Sequence, residues 1–166
     1  MDKKAYRIGI DFGTCYSFPA FLSDNYDLIP LTKNTIRGIP SVYYHDSDTG
    51  DLFGEDAEEL GDYYPDGMVS SVKQKLDWKV FELKDNIKIT PKDVVTRILK
   101  HIIDYANQIL CEDYEATSIS EVVIAVPVEF GNDERLLIKE AAQASADKGG
   151  AGVLVIDLIE DRKSVV

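Results

Sequence analysis

A seven-residue run, Glu121-Val-Val-Ile-Ala-Val-Pro127, limits the folds open to this chain more than any other segment. It is continuously apolar and ends in proline, which reads as a strand covered on both faces and closed by a residue that cannot donate to a ladder. Asn132-Asp-Glu-Arg135 then opens a helix, with Leu136, Leu137, Ala141 and Ala144 available for burial. Gly149-Gly150 stops it, and Val153-Leu-Val-Ile156 is a second buried strand. A strand, a helix and a strand joined by a right-handed crossover make a βαβ unit with parallel strands.

The rest of the chain supplies what surrounds that unit. Thr90-Pro91-Lys-Asp93 opens the clearest helix: Thr90 can cap, Pro91 suits the first helical position and Asp93 favours the N-terminal dipole. Apolar residues at 94, 95, 98, 99, 102, 103, 106, 109 and 110 form a one-sided stripe. The helix reaches about Cys111, a rod of about 30 Å. His101 shares its polar side with Arg97 and Asp104 and reads as a solvated surface histidine. Residues 6–11, 15–22 and 27–31 read as an antiparallel meander with turns at Gly13 and Asp24-Asn25. Between them and the long helix lie a strand at 41–44, a turn at Asp46–Gly50, a short helix from Gly54 to before Gly61, and another over 68–76. The order β-β-β-α-β-α-β predicts an α/β protein of ribonuclease-H-like arrangement, a mixed five-stranded sheet with flanking helices. Residues 1–32 and 89–166 would form it, and 33–88 would project as an inserted α+β subdomain.

Composition narrows the function. The 166 residues carry a net charge of −12, which argues against nucleic acid and anionic membrane surfaces as partners. The longest apolar runs reach about half a bilayer span. The N-terminal residues lead straight into the first strand without the apolar core of a signal peptide, so a cytoplasmic protein is expected. Cys15 and Cys111 lack metal-ligand spacing and read as free thiols. His45 and His101, the two histidines, give no zinc site, and no base stands near Cys15 to activate it.

Chemistry concentrates in Ile8-Gly-Ile-Asp-Phe-Gly-Thr-Cys-Tyr-Ser17. Tyr6, Ile8 and Ile10 alternate as a buried strand that stops at Asp11, and the apolar pattern resumes at Phe18, Ala20 and Leu22. The turn between them offers bare backbone N–H groups and a hydroxyl, the parts that cradle phosphate oxygens. A carboxylate so close repels phosphate unless a cation sits between, so Asp11 implies magnesium and its water shell. The same residues also make an ordinary hairpin turn, where Asp and Gly dominate for conformational reasons. This segment alone leaves both readings open.

Gly9-Ile-Asp-Phe-Gly-Thr-Cys-Tyr-Ser17 resembles the first phosphate loop of the seventy-kilodalton heat-shock chaperones, within the actin, sugar-kinase and chaperone ATPase group. Four further segments follow in that family's order. Ile39-Pro-Ser-Val42 is similar to its proline-serine segment, and Phe53-Gly-Glu-Asp-Ala57 to its Val-Gly-x-x-Ala helix start. Ser71-Val-Lys-Gln-Lys-Leu76 is similar to the segment bearing the catalytic lysine. Ile124-Ala-Val-Pro-Val-Glu-Phe-Gly-Asn-Asp-Glu-Arg135 is similar to its Val-Pro-x-x-Phe-x-x-x-x-Arg junction.

The resemblance implies ATP hydrolysis coupled to protein folding, with ATP or ADP and Mg²⁺ as cofactors. Gly13, Thr14, Cys15 and Tyr16 would face phosphate, Asp11 would hold magnesium through water, and Lys73 would position the attacking water. Pro127 and Arg135 would form a relay between lobes. Glu160 would be the acid beside metal and water, with Asp157 and Asp161 as alternatives. Implied partners are the second ATPase lobe, co-chaperones and client proteins. The chain departs from the pattern at Cys15 (usually threonine), at Asp77 (usually glycine), in a longer stretch around Asp147–Gly152, and at Asp161-Arg-Lys-Ser164. It holds no second Asp-x-Gly-Gly-Gly-Thr-like loop, so a first lobe with little hydrolysis of its own is expected. The alternative is a degenerate actin-like lobe that serves as an interaction or filament module.

Overall fold

The computed structural model describes residues 5–33, 37–114, 118–147 and 154–161. Its strands are β1 (Ala5–Asp11), β2 (Tyr16–Leu22), β3 (Leu28–Pro30), β4 (Ile39–Pro40), β5 (Tyr43–Asp46), β6 (Gly50–Phe53), β7 (Met68–Val69), β8 (Phe81–Glu82), β9 (Lys88–Ile89), β10 (Ser118–Pro127) and β11 (Leu154–Asp161). The helices are α1 (Gly54–Tyr63), α2 (Pro91–Asp113) and α3 (Asn132–Asp147). The protein is α/β with a mixed main sheet in the order β11-β10-β1-β2-β3. β1, β10 and β11 run parallel, with Ile8 beside Val122 and Val122 beside Val155. β2 and β3 are antiparallel, with Gly9 beside Ala20 and Ala20 beside Pro30. β4 pairs with the start of β2, Pro40 beside Tyr16.

Period-2 alternation puts Ile8, Ile10, Phe21, Val122, Ile124 and Val126 on one face, all buried. The α2 stripe packs against them, with Val94, Val95, Ile98, Leu99 and Ile102 in the same core. Each such side chain stabilises by about 1.5–3 kcal/mol when removed from water. Thr90 caps α2 as expected: its Oγ1 accepts from Asp93 N at 3.2 Å and donates to the Asp93 carboxylate at 2.7 Å. α3 buries Ile138, Ala141, Ala142 and Ala146, whereas Leu136 is exposed and Ala144 is only half-buried.

The opposite face of the sheet differs from expectation. Among the described residues, Arg7, Gly9, Asp11, Phe18 and Leu22 on that side are exposed, and Val123 and Ala125 are half-buried. Among the described residues, the continuous apolar run of β10 is therefore fully covered on one face only.

β5, β6 and β7 form a separate sheet. Tyr43 points into the main core, and Tyr44 packs with Val42 and Ala57 in a small cluster of its own. The expected strand at 41–44 is displaced: Ser41 and Val42 lie between β4 and β5, and β5 runs over Tyr43–Asp46. α1 runs past Gly61 to Tyr63, and Gly61 is the point where Met68 lies against the helix; a Cβ there would stand 2.2 Å from the Met68 sulfur. The helix expected over 68–76 is instead β7 followed by a single 3₁₀ turn, Val72–Gln74. Pairing of Met68 and Val69 with β5 and the left-handed Ser71 (φ 53°) prevent a continuous helix. Gly149, Gly150, Val153 and residues 162–164 of the divergent tail lie outside the described residues.

Candidate functional site

β1 ends at Asp11, level with Ala125 of β10 and Phe18 of β2. Phe12 then turns fully into the core, which leaves Gly13, Thr14 and Cys15 to close the loop before Tyr16 opens β2. The closure is tight: a Cβ on Gly13 would stand 2.0 Å from the Tyr16 carbonyl oxygen. The loop is also held from beneath. Ser41 N donates to Cys15 O at 2.7 Å, and the buried hydroxyls of Ser17 and Ser41 lie 2.8 Å apart. The Ile39-Pro-Ser-Val42 segment thus supports the loop from a neighbouring strand. The Cys15 thiol is exposed and free, and Cys111 is exposed on α2.

Lys73 comes from the 3₁₀ turn after Ser71. Its neighbour Val72 is fully buried and anchors the turn, and Lys73 itself is only 8% exposed. Its ammonium donates to the Phe12 carbonyl oxygen, between Asp11 and the Gly13 turn. The Phe12 and Phe130 rings flank it, with centroids 5.2 and 5.5 Å from Nζ. A buried lysine on the base of this loop is the opposite of the solvated lysine that a surface helix would carry.

Pro127 closes β10, and Phe130 N donates to Pro127 O at 3.2 Å. Arg135 reaches back from α3: its Nε donates to Phe130 O at 2.9 Å and an NH2 donates to Val128 O at 3.3 Å. Glu160 lies beside Val126 and Asp161 beside Pro127, both within the end of β11 and not after it, while Asp157 lies further back, beside Val123. Asp11, Gly13, Pro127, Glu160 and Asp161 therefore share the carboxyl ends of the parallel strands, where open α/β sheets bind ligands. The backbone brings Lys73 to that edge as well.

Two features escaped the sequence reading. The aromatic walls around Lys73 were signalled only by Phe12 and Phe130 adjoining the two quoted motifs. The Ser17–Ser41 pair has no local signal, because Ser17 lies on β2 and Ser41 in the link between β4 and β5, 24 residues away. The solvated His101 is a correction: its ring stacks on Phe53 at 5.1 Å and on Tyr105 at 6.4 Å. Burial holds this imidazole below its ordinary pKa against the pull of Asp104 and Asp56.

The donor set suits one kind of metal. Among the described residues no three His, Cys, Asp or Glu side chains cluster as a ligand group. One carboxylate beside a turn of backbone donors fits magnesium, which keeps its waters and leans on substrate phosphates. Among the described residues no helix is long and apolar enough to cross a membrane.

No protein-family model matches the chain. It is 31% identical over 144 residues to chaperone protein DnaK of Thermotoga petrophila, a match that covers 84% of this chain and 23% of that protein. Against chaperone protein DnaK of Endomicrobium trichonymphae identity is 30% over 159 residues, covering 93% and 24%. Against that of Ureaplasma urealyticum it is 29% over 138 residues, covering 83% and 22%. The chain spans about a quarter of the length of the curated relatives it matches, 22–24%.

Proposed function

This chain belongs to the seventy-kilodalton heat-shock (DnaK) chaperone family, and on that premise we propose that it is the first lobe of a chaperone-type ATPase, with half of a Mg-ATP site. The observation that carries the reading is the meeting of Asp11, the Gly13–Tyr16 loop and the buried Lys73 at one edge of the sheet. Residues 1–32 and 89–166 make up the ribonuclease-H-like lobe in this reading, and 33–88 its inserted subdomain.

Each residue then has a task. Backbone N–H groups from Gly13 to Tyr16 bind phosphate oxygens, and the small side chains let the chain approach. The Lys73 ammonium orients the attacking water and offsets developing charge, which is most of what phosphoryl transfer asks of a protein. Asp11 would hold Mg²⁺ through water, and the ion would supply charge neutralisation of the phosphates. Glu160, with Asp157 and Asp161 as alternatives, would take the metal-side acid role. Cys15 contributes its backbone N–H, since a thiol is a weak hydrogen-bond partner. Pro127 and Arg135 would relay nucleotide state to a second lobe, and co-chaperones and clients would follow in the cytoplasm. These 166 residues alone are expected to hydrolyse ATP slowly or not at all.

Mg-ATP titration followed by backbone amide NMR tests the reading. Shifts confined to Gly13–Tyr16 and the surroundings of Lys73 support it, and no shift at millimolar nucleotide counts against a working half-site. A second reading, an interaction module without hydrolysis, is favoured by the bare sheet face, where Leu22 is 59% and Leu28 72% exposed. Light scattering separates them: reversible self-association without nucleotide response supports the second.

A further inference from the structure

We propose that Phe12 and Phe130 are positioning residues, an aromatic clamp that fixes the Lys73 ammonium at the phosphate loop, and that Phe130 carries movement of the β10–α3 junction to it. The Phe12 and Phe130 ring centroids lie 5.2 and 5.5 Å from Nζ, inside the range where a ring face attracts a cation. Phe12 is fully buried and Lys73 nearly so, and such contacts strengthen when they are dry. The main chain adds a donor–acceptor bond at the same point, Lys73 Nζ to Phe12 O. The ammonium is thus held on three sides by groups that cannot titrate.

Phe130 is not an independent wall. Its N–H closes the turn on Pro127 O at 3.2 Å, and its carbonyl takes Arg135 Nε at 2.9 Å. Arg135 also holds Val128 O at 3.3 Å. Any change in the angle between β10 and α3 that moves this turn moves the ring over Lys73. The clamp gives the Pro127–Arg135 junction a direct mechanical route to the lysine. What Lys73 does there rests on the ATPase reading above; the clamp itself does not.

Trace acetylation of lysines in the nucleotide-free 166-residue chain, read lysine by lysine by mass spectrometry, tests it. Exposed Lys79 serves as the reference. Phe130→Leu keeps apolar bulk and removes the ring face, and should raise Lys73 labelling relative to Lys79 on the order of tenfold, the size of a desolvated cation–π contact. Phe130→Tyr should restore protection, and Arg135→Gln should raise labelling several-fold. Equal protection of Lys73 in Phe130→Leu and the wild type, with unchanged melting, overturns the clamp. So does Phe130→Tyr labelling like Phe130→Leu, which remains informative if the leucine variant folds poorly. Mg-ATP affinity is then compared by NMR. Weaker binding in Phe130→Leu supports the positioning role, and unchanged affinity with a freed lysine overturns it. Variant-dependent labelling in a protein that shows no nucleotide response keeps the clamp and removes the ATPase reading.

Discussion

The main sheet and the small β5–β6–β7 sheet are held together by different physics. The main sheet rests on dry apolar packing: Ile8, Ile10, Val122 and Ile124 are each 0–1% exposed. The small sheet is organised by two carboxylates. Asp46 accepts from Tyr44 OH at 2.8 Å, Thr49 N at 2.7 Å and Lys84 Nζ at 3.3 Å. Asp51 accepts from Tyr43 OH at 2.8 Å, lies 2.6 Å from His45 Nδ1, and pairs with Arg97 of α2. A three-stranded sheet with few buried residues has little apolar area to spend, so it leans on charge-assisted hydrogen bonds. Packing resists pH and yields to cavities, whereas carboxylate networks do the reverse.

The largest test of that contrast is Ile124→Ala, which should lower global unfolding free energy by about 2–5 kcal/mol in chemical denaturation. A loss under 1 kcal/mol would mean the main core is not the principal source of stability. Asp51→Ala should cost about 1–3 kcal/mol by leaving the buried Tyr43 hydroxyl without its acceptor. Hydrogen exchange should localise the damage to β5–β7 and its seam with α2; uniform loss across both sheets would break the comparison.

Acid provides the third test. The Thr49 backbone N–H, then the Tyr44 hydroxyl, hold the Asp46 carboxyl well below its ordinary 3.8. Burial works to raise Asp51, but Tyr43, His45 and Arg97 together hold it below 3.8 as well. A depressed carboxyl stabilises fully above its unfolded pKa and loses that contribution as pH falls toward its folded value. Exchange protection of Tyr43 and Tyr44 amides should therefore fall below pH ~4 before that of Ile10 and Ile124. The smallest effect concerns His101, whose burial lowers its pKa from 6.5. Its contribution is present above pH 6.5 and lost as pH falls through the lower folded value. His101→Phe should keep the Phe53 stack, change stability by under about 1 kcal/mol, and remove this component of the pH profile. An NMR titration midpoint at or above 6.5 would overturn the assignment.

The two sheets also differed in how well they could be read beforehand. In the main sheet the signals are local: Thr90-Pro91-Asp93 caps α2, Gly13 makes its turn, and the short apolar runs 122–126 and 153–156 mark β10 and β11. In the small subdomain they are not. Met68, Val69, Val72 and Leu76 recur at a spacing that imitates a helix, and only strand pairing with Tyr43 and Tyr44 decides otherwise. His101 sits on the polar side of α2 by count, yet Phe53 arrives from another element to cover it. The candidate site follows the same rule. Asp11 and the Gly13–Tyr16 loop are contiguous in the sequence and Lys73 is a candidate by resemblance, but its two rings come together only in the fold.

The outer edge of the main sheet carries one more consequence. β2 has no single long neighbour there: β4 pairs at Tyr16 and Ser17, and β3 pairs from Ala20 to Leu22. Both short strands end in proline, Pro30 and Pro40, and β2 itself contains Pro19. Proline offers no N–H to an incoming strand, and a short, interrupted edge gives little template for one. Strand addition beside β2 is therefore blocked by the covalent structure of this rim, and an encounter on this side of the sheet meets the bare face instead.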